Sequence, residues 1–262
     1  MVRNKYFIAL ALVSLSFRGA DFHSAKGPLI VTHRGLHSSL PENSIESMMA
    51  AFHAGADYVE MDLRYSKDSS FVLMHDCSID RTTGGKGLVA DLYLAQLTTI
   101  PLKGGHTCIP SFEDVLRTAP KSLGFYLDFK AGSEAHLVDL MKRYHIIERS
   151  VVYVYQLDQI KKLKALDPTI KVMSGLPDSL KTLDEKLSFL KRTQLDYIDG
   201  KLRDFSKYEL ISFEKAGVKF WPDLDGKANP ADWDEILQLE LDGFQTDDPL
   251  PFISWRHSSF SF

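Results

Sequence analysis

Eight short apolar runs punctuate this chain of 262 residues, and the stretches between them carry apolar residues at helical period. The runs are Leu29-Ile30-Val31, Tyr58 to Leu63, Gly124 to Phe129, Ser150 to Tyr155, Ile170 to Met173, Tyr197-Ile198, Val218 to Trp221 and Gly243-Phe244. Leu157 to Leu166, Leu180 to Leu190, Tyr208 to Ala216 and Trp233 to Leu239 read as helices. Strand alternating with helix is the pattern of parallel α/β architecture, and eight units are the number that closes a (β/α)8 TIM barrel. A ninth run, Phe71 to His75, follows the turn-like Lys67-Asp68-Ser69-Ser70 and reads as a hairpin return. A hairpin centred on that tetrad sets Asp62 opposite His75.

Polar residues gather where these runs end. Leu29-Ile30-Val31 leads into Thr32-His33-Arg34-Gly35, with Pro41-Glu42-Asn43 close behind. Asn43 reads as a helix N-cap and Glu46 as its capping-box partner, with Gly55 as the stop. Such a strand-to-helix loop is where α/β barrels keep their active sites. In Tyr58 to Leu63, alternation puts Glu60 and Asp62 on one face and Val59, Met61 and Leu63 on the other. Two neighbouring carboxylates repel, so a strand that pairs them calls for a cation, most simply a hard divalent ion. Asp128 and Lys130 share a face further on, offering a third carboxylate and a compact positive charge for a phosphate oxygen. With His33 and His75 these residues are what metal-assisted phosphodiester chemistry requires.

The chain has enough apolar material, 44% of residues, for one filled barrel and too little length for a second sizeable domain. A net charge of −4 and the lack of a basic stripe argue against a nucleic-acid partner. Arg3 and Lys5 precede the apolar stretch Tyr6 to Phe17. Residues 1–25 therefore read as a signal peptide or export segment, cleaved or kept as an anchor, and 26–262 as one catalytic domain, periplasmic or secreted. Cys77 and Cys108 leave a disulfide over the barrel mouth and two free thiols both open. His37, His53, His106, His136, His145 and His257 lack charged partners at suggestive spacing and read as surface residues.

In order and spacing, these segments resemble the glycerophosphodiester phosphodiesterase family. The likeness is carried by His33-Arg34-Gly35, Pro41-Glu42-Asn43-Ser44, Glu60-x-Asp62, His75-Asp76, Arg81-Thr82-Thr83-Gly84-Gly85-Lys86-Gly87, Ile109 to Leu116 and Asp242 to Pro249, over roughly Leu29 to Pro249. The resemblance implies a distorted (β/α)8 barrel of the PLC-like phosphodiesterase type with one divalent cation, Ca2+ or Mg2+, held by Glu60, Asp62 and Asp128. It also implies His33 and His75 as general acid and base, acting on a small-molecule phosphodiester. The attacking group implied is the substrate's own glycerol hydroxyl, by way of a cyclic phosphate. Arg34 and Lys130 are expected to bind the phosphate. Glu42 is a candidate substrate contact or a loop acid satisfying nearby amides, and Trp221 a pocket floor or a packing residue.

One position departs from the family. Asp128-Phe129-Lys130 stands where the family has Glu-x-Lys, and the shorter acid is similar to that of sphingomyelinase D phospholipases. A phospholipase D acting on lysophospholipids or sphingomyelin is thus the alternative enzyme. It would need peripheral membrane contact, for which Leu92, Tyr93, Leu94, Leu97 and Ile100 are the candidate landing surface. A non-catalytic exported barrel that binds phosphodiesters is the alternative from another class, although a binder has no use for a proton-transfer pair.

Overall fold

The computed structural model describes residues 27–260. The expected export segment, residues 1–25, lies outside them. Ten strands form one sheet: β1 (Leu29–Thr32), β2 (Tyr58–Tyr65), β3 (Phe71–Leu73), β4 (Gly124–Phe129), β5 (Ser150–Tyr153), β6 (Lys171–Gly175), β7 (Tyr197–Asp199), β8 (Lys219–Phe220), β9 (Asp223–Leu224) and β10 (Gly243–Thr246). Nine helices accompany them among the described residues. They are α1 (Ile45–Ala54), α2 (Leu94–Leu97), α3 (Phe112–Thr118), α4 (Glu134–Arg143), α5 (Leu157–Leu166), α6 (Leu183–Thr193), α7 (Lys207–Lys215), α8 (Pro230–Gln238) and α9 (Pro249–Phe260).

The strands run β8-β7-β6-β5-β4-β2-β1-β10-β9 across the sheet, all parallel, with β3 turned back antiparallel on β2. Closure is made by β8 and β9, two halves of one strand split at Trp221-Pro222. The first half pairs β7 and the second pairs β10. Proline has no N–H for a ladder, so a central strand that contains one must break there. Its carbonyl still accepts from Gln245 N at 2.9 Å. The eight expected barrel strands are all present, one of them interrupted.

Alternation along each strand sorts two cores. Val59, Met61 and Leu63 of β2 and Phe125, Leu127 and Phe129 of β4 face outward into a continuous apolar layer beneath the helices. Val31, Tyr126, Val151, Met173 and Trp221 fill the barrel's interior, with Tyr58, Tyr153 and Tyr197 against them. The base is tied by Arg256 of α9, a buried guanidinium that donates to the carbonyls of Pro28 and Gly55 and ion-pairs Asp57. Helix α9 lies beyond the reach of the sequence motifs.

The hairpin register differs from the expected one. Leu63 pairs Leu73, Arg64 pairs Val72 and Tyr65 pairs Phe71, so Met74 and not His75 stands opposite Asp62. The turn spans Ser66 to Ser70, closed by Ser66 N to Ser70 O at 2.9 Å with Ser69 at φ 62°, one residue longer than the tetrad. The excursion after β3 folds on its own small core of Val72, Met74, Ile79, Val89, Leu97, Leu102 and Ile109. Leu92, Leu94 and Ile100 pack on it, which uses up most of the landing surface considered above. Leu88 and Tyr93 remain exposed. Cys77 and Cys108 are free thiols, so the bridge over the mouth is not formed.

Candidate active site

The C-terminal ends of the strands surround a polar cavity of about 160 Å3. His33, Arg34, Glu60, Asp62, His75, Asp128 and Lys130 all line it. Six further residues join them: Tyr126, Tyr153, Tyr155, Asp199, Asp223 and Gln245. The parallel register of β2 and β4 sets Asp62 directly beside Asp128, while Glu60 lies two residues back on the same face.

Local geometry of the first loop explains how its residues reach the site. Ser44, not Asn43, caps α1: its hydroxyl accepts from Ser47 N at 3.0 Å, and Ser47 Oγ returns the bond, so Glu46 is not the box partner. That one-residue shift frees Asn43, which holds φ 54° and grips Asp62 at both ends. Its Nδ2 donates to Asp62 Oδ2 at 2.6 Å, and its Oδ1 accepts from Asp62 N at 3.0 Å. Arg34 N donates to Glu60 Oε2 at 2.8 Å. Gly35 follows at φ 79°, where a Cβ would meet Ser47 Oγ at 2.4 Å, so only glycine closes this turn.

Three carboxylates, Glu60, Asp62 and Asp128, each present an oxygen within 4.8 Å of the others. Glu60 and Asp62 are 2% and 1% exposed. Burial pushes Glu60 well up, and Asp62 and Asp128 add to the rise. Burial also raises Asp128, more than Lys130 lowers it. Asp62 is the exception: burial pushes it up, but Lys130, Asn43 and Arg34 outweigh that and hold it low. Lys130 Nζ lies 2.6 Å from Asp128 Oδ2 and 3.0 Å from Asp62 Oδ1, the second contact lacking hydrogen-bond direction. Asp62 Oδ1 and Asp128 Oδ1 are consequently buried with no hydrogen-bond partner. Clustered hard oxygens with unmet acceptors fit a divalent cation, with Glu60, Asp62 and Asp128 as its protein ligands.

Both histidines are aimed by carboxylates. His33 Nδ1 lies 2.7 Å from Asp247 Oδ1, and His75 Nδ1 lies 2.7 Å from Asp76 Oδ1. The His33 bond holds Asp247 down at about 2, against burial. Arg81, then His75, holds Asp76 well below the usual carboxylate range. An ionised carboxylate can only accept, so each Nδ1 carries the hydrogen and each Nε2 is left to exchange protons. His75 lies past the end of β3, and its carbonyl accepts from Arg64 Nε and Nη2 at 2.8 and 2.6 Å. This clasp brings His75 to the cavity despite the shifted hairpin.

Two expected substrate contacts stand elsewhere. The Glu42 carboxylate does not line the cavity; it takes both terminal nitrogens of Arg81 at 2.7 Å and Arg34 Nη1 at 3.3 Å. Burial raises Glu42, and the two guanidiniums more than offset it. Arg81 also donates to Asp76 at 2.7 Å, so one chain of bonds runs His75-Asp76-Arg81-Glu42-Arg34. Trp221 is no pocket floor. It is 1% exposed in the barrel interior, packed between an edge-on Tyr58 and a tilted Tyr197, with its Nε1 donating to Asp242 Oδ1 at 2.9 Å. Trp221→Ala should cost about 3–5 kcal/mol in urea denaturation with KM unchanged. A raised KM at unchanged stability would put the indole back in the pocket.

His37 is not a plain surface residue either. Its Nδ1 lies 2.7 Å from the His33 carbonyl, and its Nε2 lies 3.5 Å from the Asp247 carboxylate that orients His33. The partners missed from sequence are Asn43, Arg64, Asp76, Arg81 and Asp247. Of these, Asn43, Asp76 and Arg81 sit inside the motifs named above, and Asp247 in the run Asp242 to Pro249; only Arg64 lies outside them all.

Residues 33–221 match the model of the glycerophosphoryl diester phosphodiesterase family. A curated relative, the glycerophosphodiester phosphodiesterase of Caldanaerobacter subterraneus subsp. tengcongensis, is 27% identical over 240 residues, 86% of this chain and 96% of that one. In fold, the chain is similar to a glycerophosphodiester phosphodiesterase crystal structure from Agrobacterium tumefaciens (TM-score 0.76, 24% identity, covering 87% of this chain and 99% of that one). It is likewise similar to an Oleispira antarctica phosphodiesterase in complex with the product sn-glycerol-3-phosphate (TM-score 0.75, 21% identity, covering 88% and 97%). The family match spans more than two thirds of the sequence and begins on His33 itself, and the chain belongs to the glycerophosphoryl diester phosphodiesterase family.

Proposed function

We propose that this protein hydrolyses glycerophosphodiesters to glycerol 3-phosphate and an alcohol, using a divalent cation, Ca2+ or Mg2+, and a pair of histidines. The observation that carries the reading is the cavity itself. Two imidazoles, each oriented by its own carboxylate, face one cluster of three acids flanked by Arg34 and Lys130. When bound, the cation stabilises charge that builds on a phosphate oxygen. Arg34 and Lys130 bind the remaining nonbridging oxygens. One of His33 and His75 withdraws the proton from the attacking oxygen through Nε2, and the other protonates the departing alkoxide. Asp247 and Asp76 hold the two rings at their angles and keep each Nδ1 hydrogen in place.

The test is release of glycerol 3-phosphate from glycerophosphocholine by purified protein, before and after a chelator and again with Ca2+ or Mg2+ restored. Release that stops with the chelator and returns with the ion is expected. Undiminished release in the chelator would overturn the metal-dependent reading. Choline phosphate as the product, in place of glycerol 3-phosphate, would overturn the proposed bond cleavage. The packed excursion speaks for soluble diesters over lysophospholipids, because few of its apolar side chains are free to meet an acyl chain.

A further inference from the structure

On the side of the cavity where β10 adjoins β1, β7, β9 and β10 bring Asp199, Asp223 and Gln245 to the wall, and no step above uses them. Gln245 pairs Asp223 in register, and its Nε2 donates to Asp223 Oδ1. A carboxylate accepts only, so that bond fixes which end of the amide is which. Gln245 is 6% exposed, and its Oε1 is left buried without a hydrogen-bond partner. Asp199, on the neighbouring strand, takes a backbone N–H from Gly200. Lys201 at this rim is ion-paired with Asp225, and His33 lies near enough to Asp223 to offset part of its burial. Three acceptor groups thus converge with too few donors among the described residues, an arrangement that is costly unless a ligand supplies them.

The inventory of possible ligands selects one. A primary ammonium carries three N–H donors, no lone pair and a positive charge. A hydroxyl has a single O–H to give to one of the three acceptors and brings no charge, and a quaternary ammonium has no N–H to give. Burial and the neighbouring Asp223 push Asp199 up to about 7, more than the Gly200 N–H and Lys201 lower it. We propose that Asp199, Asp223 and Gln245 Oε1 form a subsite for a primary ammonium on the substrate's alcohol substituent. The preferred diesters are then those of amino alcohols such as ethanolamine. This rests on the phosphodiesterase reading above.

Two measurements separate the subsite from that reading. In calorimetric titration of the cation-loaded protein, phosphoethanolamine should bind about 10- to 100-fold tighter than n-propyl phosphate, the scale of a hydrogen bond to a charged group. Asp223→Asn and Asp199→Asn, each nearly isosteric, should erase that preference. In turnover, the ratio of kcat/KM for glycerophosphoethanolamine to that for neutral glycerophosphoglycerol should fall about 10- to 100-fold in the same variants. Equal binding of the two phosphates by the wild type, or equal losses on both diesters in the variants, would overturn the subsite. If the wild type cleaves neither diester, the phosphodiesterase reading fails, and the titration still decides whether the ammonium is bound.

Discussion

Glu60→Ala and Asp62→Ala are each expected to abolish turnover and to weaken Ca2+ and Mg2+ binding by more than the roughly 10–100-fold that loss of an outer-shell partner costs. The cluster offers three protein carboxylates, so one deletion removes a third of its charge. The change at Asp62 also strands Asn43 and removes one of the carboxylates beside Lys130. The same cluster sets a pH dependence. Burial, with Asp62 and Asp128 behind it, raises Glu60 in the folded, cation-free protein. A carboxyl raised on folding favours the protonated state, so its ionisation destabilises the fold as pH rises through its ordinary value. A bound cation removes that penalty. Thermal stabilisation by Ca2+ or Mg2+ should therefore be larger at about pH 8 than at about pH 5. Unchanged ion affinity in both variants, measured by calorimetry, would show that the ion binds elsewhere.

The barrel was legible because its strands obey two periodicities at once. Outward residues such as Val59, Met61 and Leu63 read as apolar, and the inward Glu60 and Asp62 could not be core. Helix α5 falls on Leu157–Leu166 as expected, since Pro168 just past its C-cap Asp167 fixes where it stops. The α1 cap and the turn after β2 each stand one residue from where the sequence puts them, and each for a local reason. Asn43 and Ser44 are both good caps, and propensity cannot rank them when the first is needed to grip Asp62. Likewise Lys67 to Ser70 reads as a four-residue turn, but Ser69 adopts a left-handed conformation that admits a fifth.

Partners supplied from far along the chain were the least legible. Asp247 stands 214 residues from the histidine it orients, and Arg81 stands 39 from the Glu42 it clamps. No periodicity links such pairs; for His33 and Asp247 parallel strand order does, because β10 lies beside β1. Trp221 is decided by depth. An aromatic at a strand end reads as a pocket wall or as packing, and in a barrel the inward side chain below the mouth belongs to the packed interior. The tyrosines of β4 and β5 line the cavity instead.

The histidine pair carries the other large effect. A single turnover must both take a proton from the attacking oxygen and give one to the departing alkoxide, so one imidazole has to start neutral and the other protonated. The rate should then be bell-shaped in pH, falling on the acid side as the base is blocked and on the alkaline side as the acid is lost. His33→Ala and His75→Ala should each slow hydrolysis by roughly 10²–10⁴-fold while metal affinity stays largely intact. Asp247→Asn and Asp76→Asn keep the rings in place but swap an acceptor for an amide, and should produce smaller losses of the same kind. A p-nitrophenyl phosphodiester assigns the roles, because its leaving group departs without a proton. That substrate should restore most of the rate to whichever variant lacks the general acid and little to the other. Equal restoration of both variants, or of neither, would mean that His33 and His75 do not divide the two transfers, and that the carboxylates behind them serve only to hold the loops.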